Sequence, residues 1–235
     1  MTPETLAIIP ARLNSKRAPR KNIAIVAGRP LICYTIKAAL EANLVSRVIV
    51  STESRDVAQI ATGCGAESPF LRPQRLAEDC VGLDDVCLHA VQWLAEYEDY
   101  HPQYIIKLNP TSPLRIAEDI DTTIRLGIDK DAPGVINVCL VESRSSWGVV
   151  YLGNDGRVIE KHERNIVYPE PGSHPSLYAP CGGTCLVKTG VFMEERSLYP
   201  RGHYAHIVPI ERSLDIDLPW HLYLADLILN DISQE

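Results

Sequence analysis

Short apolar runs alternate with amphipathic stretches over the first 141 residues. Thr5–Pro10 (TLAIIP) is apolar almost throughout, which suits a strand buried on both faces. Leu31, Tyr34, Ala38 and Val45, with Ile32, Ile36 and Leu40, follow helical spacing and predict a helix near 30–43 that Pro30 can open. Arg47–Ser51 (RVIVS) is a β-branched run and predicts a second strand. Ser54 suits the cap of a helix over 55–63, with Asp56 at its positive end and Gly63 and Gly65 as its stop. Residues 67–83, broken by Pro69 and Pro73, read as a loop. A helix over 84–98 follows, then a strand at Tyr104–Leu108 (YIIKL), a helix at Ala117–Leu126 and a strand at Val135–Val141. Strands and helices in strict alternation predict an α/β fold with a doubly wound, mostly parallel sheet.

The pattern changes after Val141. Gly148–Leu152 and Arg157–Glu160 flank Asn154-Asp155-Gly156, a strong hairpin signal. Residues 162–182 are rich in Pro, Gly, His and Tyr and show no helical period. The division expected is therefore an α/β core of 1–141 and 183–235, with 142–182 as an inserted antiparallel arm. The core resumes with a strand at Thr184–Lys188, a short helix near 190–196 and a strand at Ala205–Ile210. A closing helix spans Trp220–Leu229, with Leu218, Leu222, Ala225 and Leu229 on one stripe.

The charge pattern narrows the function. The net charge is −7, which disfavours a general nucleic-acid or membrane-surface binder. Yet Arg12, Lys16, Arg17, Arg20 and Lys21 crowd into the loop that follows the first strand. Ligands dock at the carboxyl ends of strands in open α/β sheets, so this basic loop reads as a phosphate site, with Asn14 and Ser15 as extra polar groups. It lacks the glycine spacing of a Walker A loop. The first residues do not read as a secretory signal, and no apolar run is long enough for a membrane helix. Seven cysteines, odd in number and without a CxxC pair, then suggest reduced thiols in the cytoplasm.

Three further stretches carry candidate chemistry. In Asp215-Ile216-Asp217, an extended backbone would turn both carboxylates to one side and Ile216 to the core. Such a pair suits Mg²⁺ carried by a triphosphate; the alternative is that Asp217 caps the closing helix. Asn109-Pro110-Thr111-Ser112-Pro113-Leu114-Arg115 is a proline-braced loop at a strand's carboxyl end. Asn109, Thr111, Ser112 and Arg115 can bind a polar substrate there, or simply brace the turn. Arg72 stands alone before Pro73 and can clamp a nucleotide or make a surface pair. Gly182-Gly183 implies a close backbone approach by a ligand or by packing. No zinc spacing and no serine-hydrolase elbow occurs.

These stretches, in this order, resemble the acylneuraminate cytidylyltransferases, the CMP-sialic acid synthetases. The likeness rests on IIPARLNSKRAPRKNI (8–23), GRPLICYTIKAAL (28–40), RVIVSTES (47–54), FLRPQRLAED (70–79), LNPTSPLR (108–115) and SLDIDLPW (213–220). It covers nearly the whole chain and is weakest at 142–182. The resemblance implies a Rossmann-like nucleotidyltransferase that uses CTP and Mg²⁺ to convert a nonulosonic 2-keto-3-deoxy sugar acid into a CMP-sugar and pyrophosphate. It implies nucleotide contacts from Ala11, Arg12, Leu13, Asn14, Ser15, Lys21, Asn22 and Arg72. Catalytic roles are implied for Arg12, Lys21 and Asp217, metal binding for Asp215 and Asp217, and homodimerisation through the 142–182 arm. The enzyme alternative is a ketodeoxyoctulosonate or other acid cytidylyltransferase; the other is a non-catalytic nucleotide-binding protein on the same scaffold. The family's sialic-acid enzymes commonly carry Gln where Asn109 stands and Asn where Cys181 stands. Cys80-Val81-Gly82-Leu83 likewise lacks the small hydroxyl residues common beside the base.

Overall fold

The computed structural model describes residues 3–15, 19–141, 150–152, 158–160 and 178–232, with backbone alone described in 150–152 and 158–160. Lys16 and Arg17 of the basic loop, the Asn154–Gly156 turn and most of the 142–182 arm lie outside the described residues.

The central sheet is laid down by β1 (Thr5–Pro10), β4 (Arg47–Ser51), β5 (Tyr104–Leu108), β6 (Gly134–Leu140), β9 (Tyr178–Lys188) and β10 (Tyr204–Ile207). Two small antiparallel pairs, β2 (Ile25–Val26) with β3 (Arg29–Pro30) and β7 (Val150–Leu152) with β8 (Val158–Glu160), stand apart from it. The helices are α1 (Leu31–Glu41), α2 (Arg55–Gly63), α3 (Leu83–Glu98), α4 (Ala117–Asp129), α5 (Thr189–Glu195) and α6 (Pro219–Ile232). None is long and apolar enough to cross a membrane, among the described residues.

The sheet order is β10-β6-β9-β5-β1-β4. The pairs β1–β4, β1–β5 and β10–β6 are parallel, whereas β9 runs antiparallel to both neighbours. Alternation along β1 feeds two cores. Ala7 and Ile9 face Ile32 and Ile36 of α1, Val57 of α2 and Ile120 of α4. Leu6 and Ile8 face Cys87 and Leu94 of α3 and Phe192 of α5. Both faces of the sheet are thus covered, as the unbroken apolar strands require. A third cluster holds α6 against the rest of the chain: Ile216 and Ala225 meet Val26 and Leu31.

Three local features place the loops. Ser54 caps α2, accepting from the Val57 N–H at 3.4 Å. The N–H groups of Asp217 and Leu218, which lead into α6, donate to His221 Nδ1 at 3.0 and 3.2 Å. Gly182 and Gly183 adopt left-handed φ of 62° and 52° and interrupt β9. Ile136 pairs with Cys185 and Val138 with Pro180, so Cys181–Thr184 bulge opposite Asn137.

The thiol expectation is corrected. Cys33 of α1 and Cys64 just after α2 form a disulfide with Cα atoms 5.6 Å apart. The two helices lie on one face of the sheet, which joins cysteines 31 residues apart in a way that local spacing does not reveal. Cys80, Cys87, Cys139, Cys181 and Cys185 are free thiols.

Candidate active site

The carboxyl ends of β1, β4 and β5 open on one side, where the basic loop, Arg72, Asn109–Arg115 and the Asp215–Asp217 segment converge. They surround a cavity of ≈450 Å³. Arg12, Ser15, Lys21 and Asn22 line it from the basic loop, and Arg72 from the segment between α2 and α3. Asn109, Thr111, Asp215 and Asp217 close it from the far side, while Leu76, Val81, Leu83 and Val86 supply an apolar wall. Asn14 lines an adjoining cavity with Arg12 and Ser15.

The backbone explains how distant segments meet. The Ile216 N–H donates to the Thr111 carbonyl at 2.8 Å, fixing the aspartate segment beside the proline-braced loop. Ile216 is fully buried, and Asp215 and Asp217 flank it on the cavity. Ala11 lies buried under the loop, its N–H donating to the Ser51 carbonyl at 3.0 Å, and the Leu13 N–H donates to Glu53 Oε1 at 2.8 Å. Asn22 Nδ2 donates to the Arg12 carbonyl at 2.8 Å and braces the loop from within.

The cations around the cavity are matched by carboxylates. Arg12 pairs with Asp79 at 2.6 Å, and Lys21 with Asp217 at 3.4 Å. Lys21 Nζ also donates to the Ile216 carbonyl at 2.6 Å. Arg72 pairs with Glu53 at 2.9 Å, both side chains under one-tenth exposed. Burial lowers the Arg72 pKa below its ordinary value, with Glu53 opposing the shift. Removing one member of such a buried pair strands the other charge, at a cost of about 3–5 kcal/mol.

Two candidates of the proline-braced loop stand elsewhere. Ser112 is fully buried and its hydroxyl has no hydrogen-bond partner among the described residues. Arg115 is buried beneath the loop, where it donates to the carbonyls of Gly182 and Asn109 and to Thr35 Oγ1. Burial pulls its pKa down to about 10, against the attraction of Asp215 and Asp119. Neither lines the two cavities that meet at Asn109, whereas Arg115 sets the position of that residue's carbonyl. The Gly182-Gly183 approach is one of packing: a Cβ on Gly183 would stand 2.2 Å from Asn109 Nδ2.

A second cavity of ≈360 Å³ shares Leu83, Asn109 and Asp215 with the first. Its other walls come from β5, β6 and the β9 bulge, notably Lys107, Asn137, Cys139, Cys181 and Cys185, with Tyr199. Burial drives the Cys181 thiol up to about 12, helped by neighbouring Cys139, so it is neutral there. The sequence alone gives no role to Glu53, Asp79 or Lys107, although Glu53 and Asp79 lie within the RVIVSTES and FLRPQRLAED stretches. A charged residue directly after a buried strand (Glu53) or inside one (Lys107) was the available signal.

Comparison with known proteins fits this geometry. Residues 6–160 match the family model described as Cytidylyltransferase. The chain is 30% identical to the CMP-N,N'-diacetyllegionaminic acid synthase of Legionella pneumophila, covering 98% of this chain and 97% of that protein. It is 29% identical to the N-acylneuraminate cytidylyltransferase of Escherichia coli over 92% of this chain, spanning 50% of that relative's length. Among solved structures, a CMP:2-keto-3-deoxy-manno-octonic acid synthetase complexed with CTP superposes with a TM-score of 0.74 at 16% identity, covering 97% of this chain and 99% of that one. This last likeness is one of fold, the Rossmann-like nucleotidyltransferase arrangement. Matched over most of its length by that family model and nearly end to end by the Legionella relative, the chain belongs to the cytidylyltransferase family of CTP-dependent nucleotidyltransferases, with the acylneuraminate-type CMP-sugar-acid synthetases.

Proposed function

We propose that the protein transfers CMP from CTP to a nonulosonic 2-keto-3-deoxy sugar acid and releases pyrophosphate. The observation that carries this reading is the meeting of two cavities at Asn109 and Asp215, one ringed by Arg12, Lys21 and Arg72 and the other by Lys107, amides, backbone and thiols. The first suits a triphosphate and its base; the second suits a polyhydroxylated acceptor. The names of the Legionella and Escherichia coli relatives support the same substrate class.

The reaction is an in-line displacement. The acceptor's anomeric hydroxyl oxygen bonds to the α-phosphorus, and the bond to the pyrophosphate oxygen breaks. Arg12 and Lys21 stabilise charge on the phosphates and the departing pyrophosphate. Asp217, beside Lys21, is the carboxylate placed to take the hydroxyl proton. Arg72, held by Glu53 and by the Ser51 carbonyl at 3.3 Å, keeps a fixed cation at the nucleotide end.

Asp215 and Asp217 fit a Mg²⁺ ion. Asp215 Oδ1 is buried without a hydrogen-bond partner among the described residues, as a hard-cation ligand would be. No cluster of three or more metal-ligating side chains occurs among the described residues, so the pair suits an ion completed by phosphate and water. When bound, the ion would neutralise phosphate charge. In this reading the protein acts in the cytoplasm as a homodimer.

The test is pyrophosphate release with Mg²⁺, each ribonucleoside triphosphate and a panel of 2-keto-3-deoxy sugar acids, ketodeoxyoctulosonate included. Release should require CTP and a nonulosonic acid. Release only with ketodeoxyoctulosonate moves the substrate class, and CTP binding without release for any acid excludes the proposed acceptor.

A further inference from the structure

The second cavity contains a charge that the nucleotide chemistry does not use. Lys107 lies within β5, all five residues of which are buried, and is itself 2% exposed. Its ammonium donates to the Gly183 carbonyl at 2.7 Å and to Asn109 Oδ1 at 3.3 Å. Both acceptors are neutral oxygens. An ammonium has three N–H donors, and the third finds no acceptor among the described residues. Nor does any carboxylate there lie within ion-pair distance of it. The described cations lining the first cavity contrast with this, since Arg12, Lys21 and Arg72 each have an acidic partner.

The buried Cys87 thiol does not balance the charge. Cys185 sits directly across from Lys107 in the β5–β9 register. Cys87 faces the same core, and burial pushes its thiol up to about 12. A buried, unpaired ammonium is costly, and a bound anion removes that cost. Lys107 also lines the cavity, so an anion in it can reach the ammonium.

The acceptor's chemistry restricts where such a cation must stand. In a 2-keto sugar acid the attacking hydroxyl sits on the carbon that bears the carboxylate. A cation that holds the carboxylate must therefore border the junction with the nucleotide cavity. Lys107 does: it hydrogen-bonds to Asn109, which lines both cavities.

We propose that Lys107 is the carboxylate-recognising residue of the acceptor cavity, selecting acids over neutral sugars and setting the attacking hydroxyl at the Asn109–Asp215 junction. This rests on the reading of the reaction given above. It makes a residue inside an apolar strand run a specificity determinant.

The experiment compares wild type with Lys107→Met, which removes the charge and keeps the length. Steady-state constants are measured for CTP, for the acceptor acid and for its primary amide. Binding of the same acid to CMP-loaded enzyme is measured by calorimetry. Loss of a charge-assisted hydrogen bond should raise the acceptor KM about 10–100-fold, leave the CTP KM within about twofold of wild type and abolish the preference for acid over amide. A variant that keeps the wild-type preference overturns the proposal, because a merely structural lysine would weaken both acceptors alike. An equal rise in the CTP KM overturns it too. Should Lys107→Met fail to fold, Lys107→Gln retains donors without charge and must show the same loss of preference. Wild type that neither turns over nor binds any acid overturns the reaction reading, and this inference with it; turnover by wild type with an unchanged variant overturns this inference alone.

Discussion

The two cavities that meet at Asn109 and Asp215 are built on opposite electrostatic plans. In the first cavity each described cation is held by an acid: Arg12 by Asp79, Lys21 by Asp217, Arg72 by Glu53. In the neighbouring cavity one lysine stands among carbonyls, amides and thiols. The paired side has its charges positioned before any ligand arrives, and phosphates must compete with Asp79 and Asp217 for them. The unpaired side leaves its electrostatic demand to be met by the ligand. In the proposed reaction, preorganisation serves a nucleotide of constant shape, whereas an unmet charge serves selection among acceptors.

The sharpest way to break this contrast is Asp217→Asn. Turnover should fall by about 10²–10³-fold, while the melting temperature stays close to wild type. His221, not the Asp217 carboxylate, accepts the N–H groups at the entry to α6. A variant that unfolds would return Asp217 to a capping role, and full activity would remove it from the chemistry.

Gly183→Ala attacks the other side. Its φ of 52° and a Cβ position 2.2 Å from Asn109 combine backbone strain with overlap. The expected loss is about 2–4 kcal/mol of stability, read as a fall of roughly 5–15 °C in melting temperature. An unchanged melting temperature would show that the bulge relaxes freely and does not fix Asn109.

The smallest expected effect lies outside both cavities. His206 Nδ1 lies 3.0 Å from Thr123 Oγ1, and burial lowers its pKa below the ordinary 6.5, with Asp119 opposing and Arg212 adding to the shift. The unfolded chain takes up this proton first as pH falls. The contribution to stability is therefore fully present above 6.5 and is lost below it, toward the folded-state value. His206→Gln should flatten the fall in melting temperature between roughly pH 7 and 5.5. An identical slope in the variant would assign the acid sensitivity to other groups.

Much of the paired side was legible in the chain. Thr5–Pro10, Arg47–Ser51 and Tyr104–Leu108 are strands over the expected residues, because each is an apolar run bounded by turn residues. Ligands dock where such strands end, so the basic loop, Arg72 and the two aspartates stood out. The other side was harder to read. The strand expected from Thr184 begins at Tyr178, since two left-handed glycines interrupt it without ending it. The strand expected to reach Ile210 stops at Ile207, just before Pro209, which has no N–H to donate. Apolar periodicity carries no strand direction, so nothing marked β9 as antiparallel. Lys107 lay hidden in a run whose apolar neighbours define a buried strand. The Cys33–Cys64 link depends on how two helices sit side by side, which spacing along the chain does not encode.

The antiparallel strand is also the seam of the sheet. β4, β1 and β5 pair in parallel with one another, and so do β6 and β10, and within the sheet only β9 joins the two groups. Its register bonds, Tyr104 with Lys188 on one side and Gly134 with Val187 on the other, join segments far apart in sequence. Until β9 docks, Gly183 is not beside Asn109, and Asp215, further along the chain, has no completed floor against which to stand. One strand thus does two things: it joins the two parallel groups, and its glycine bulge supplies the wall that meets Asn109.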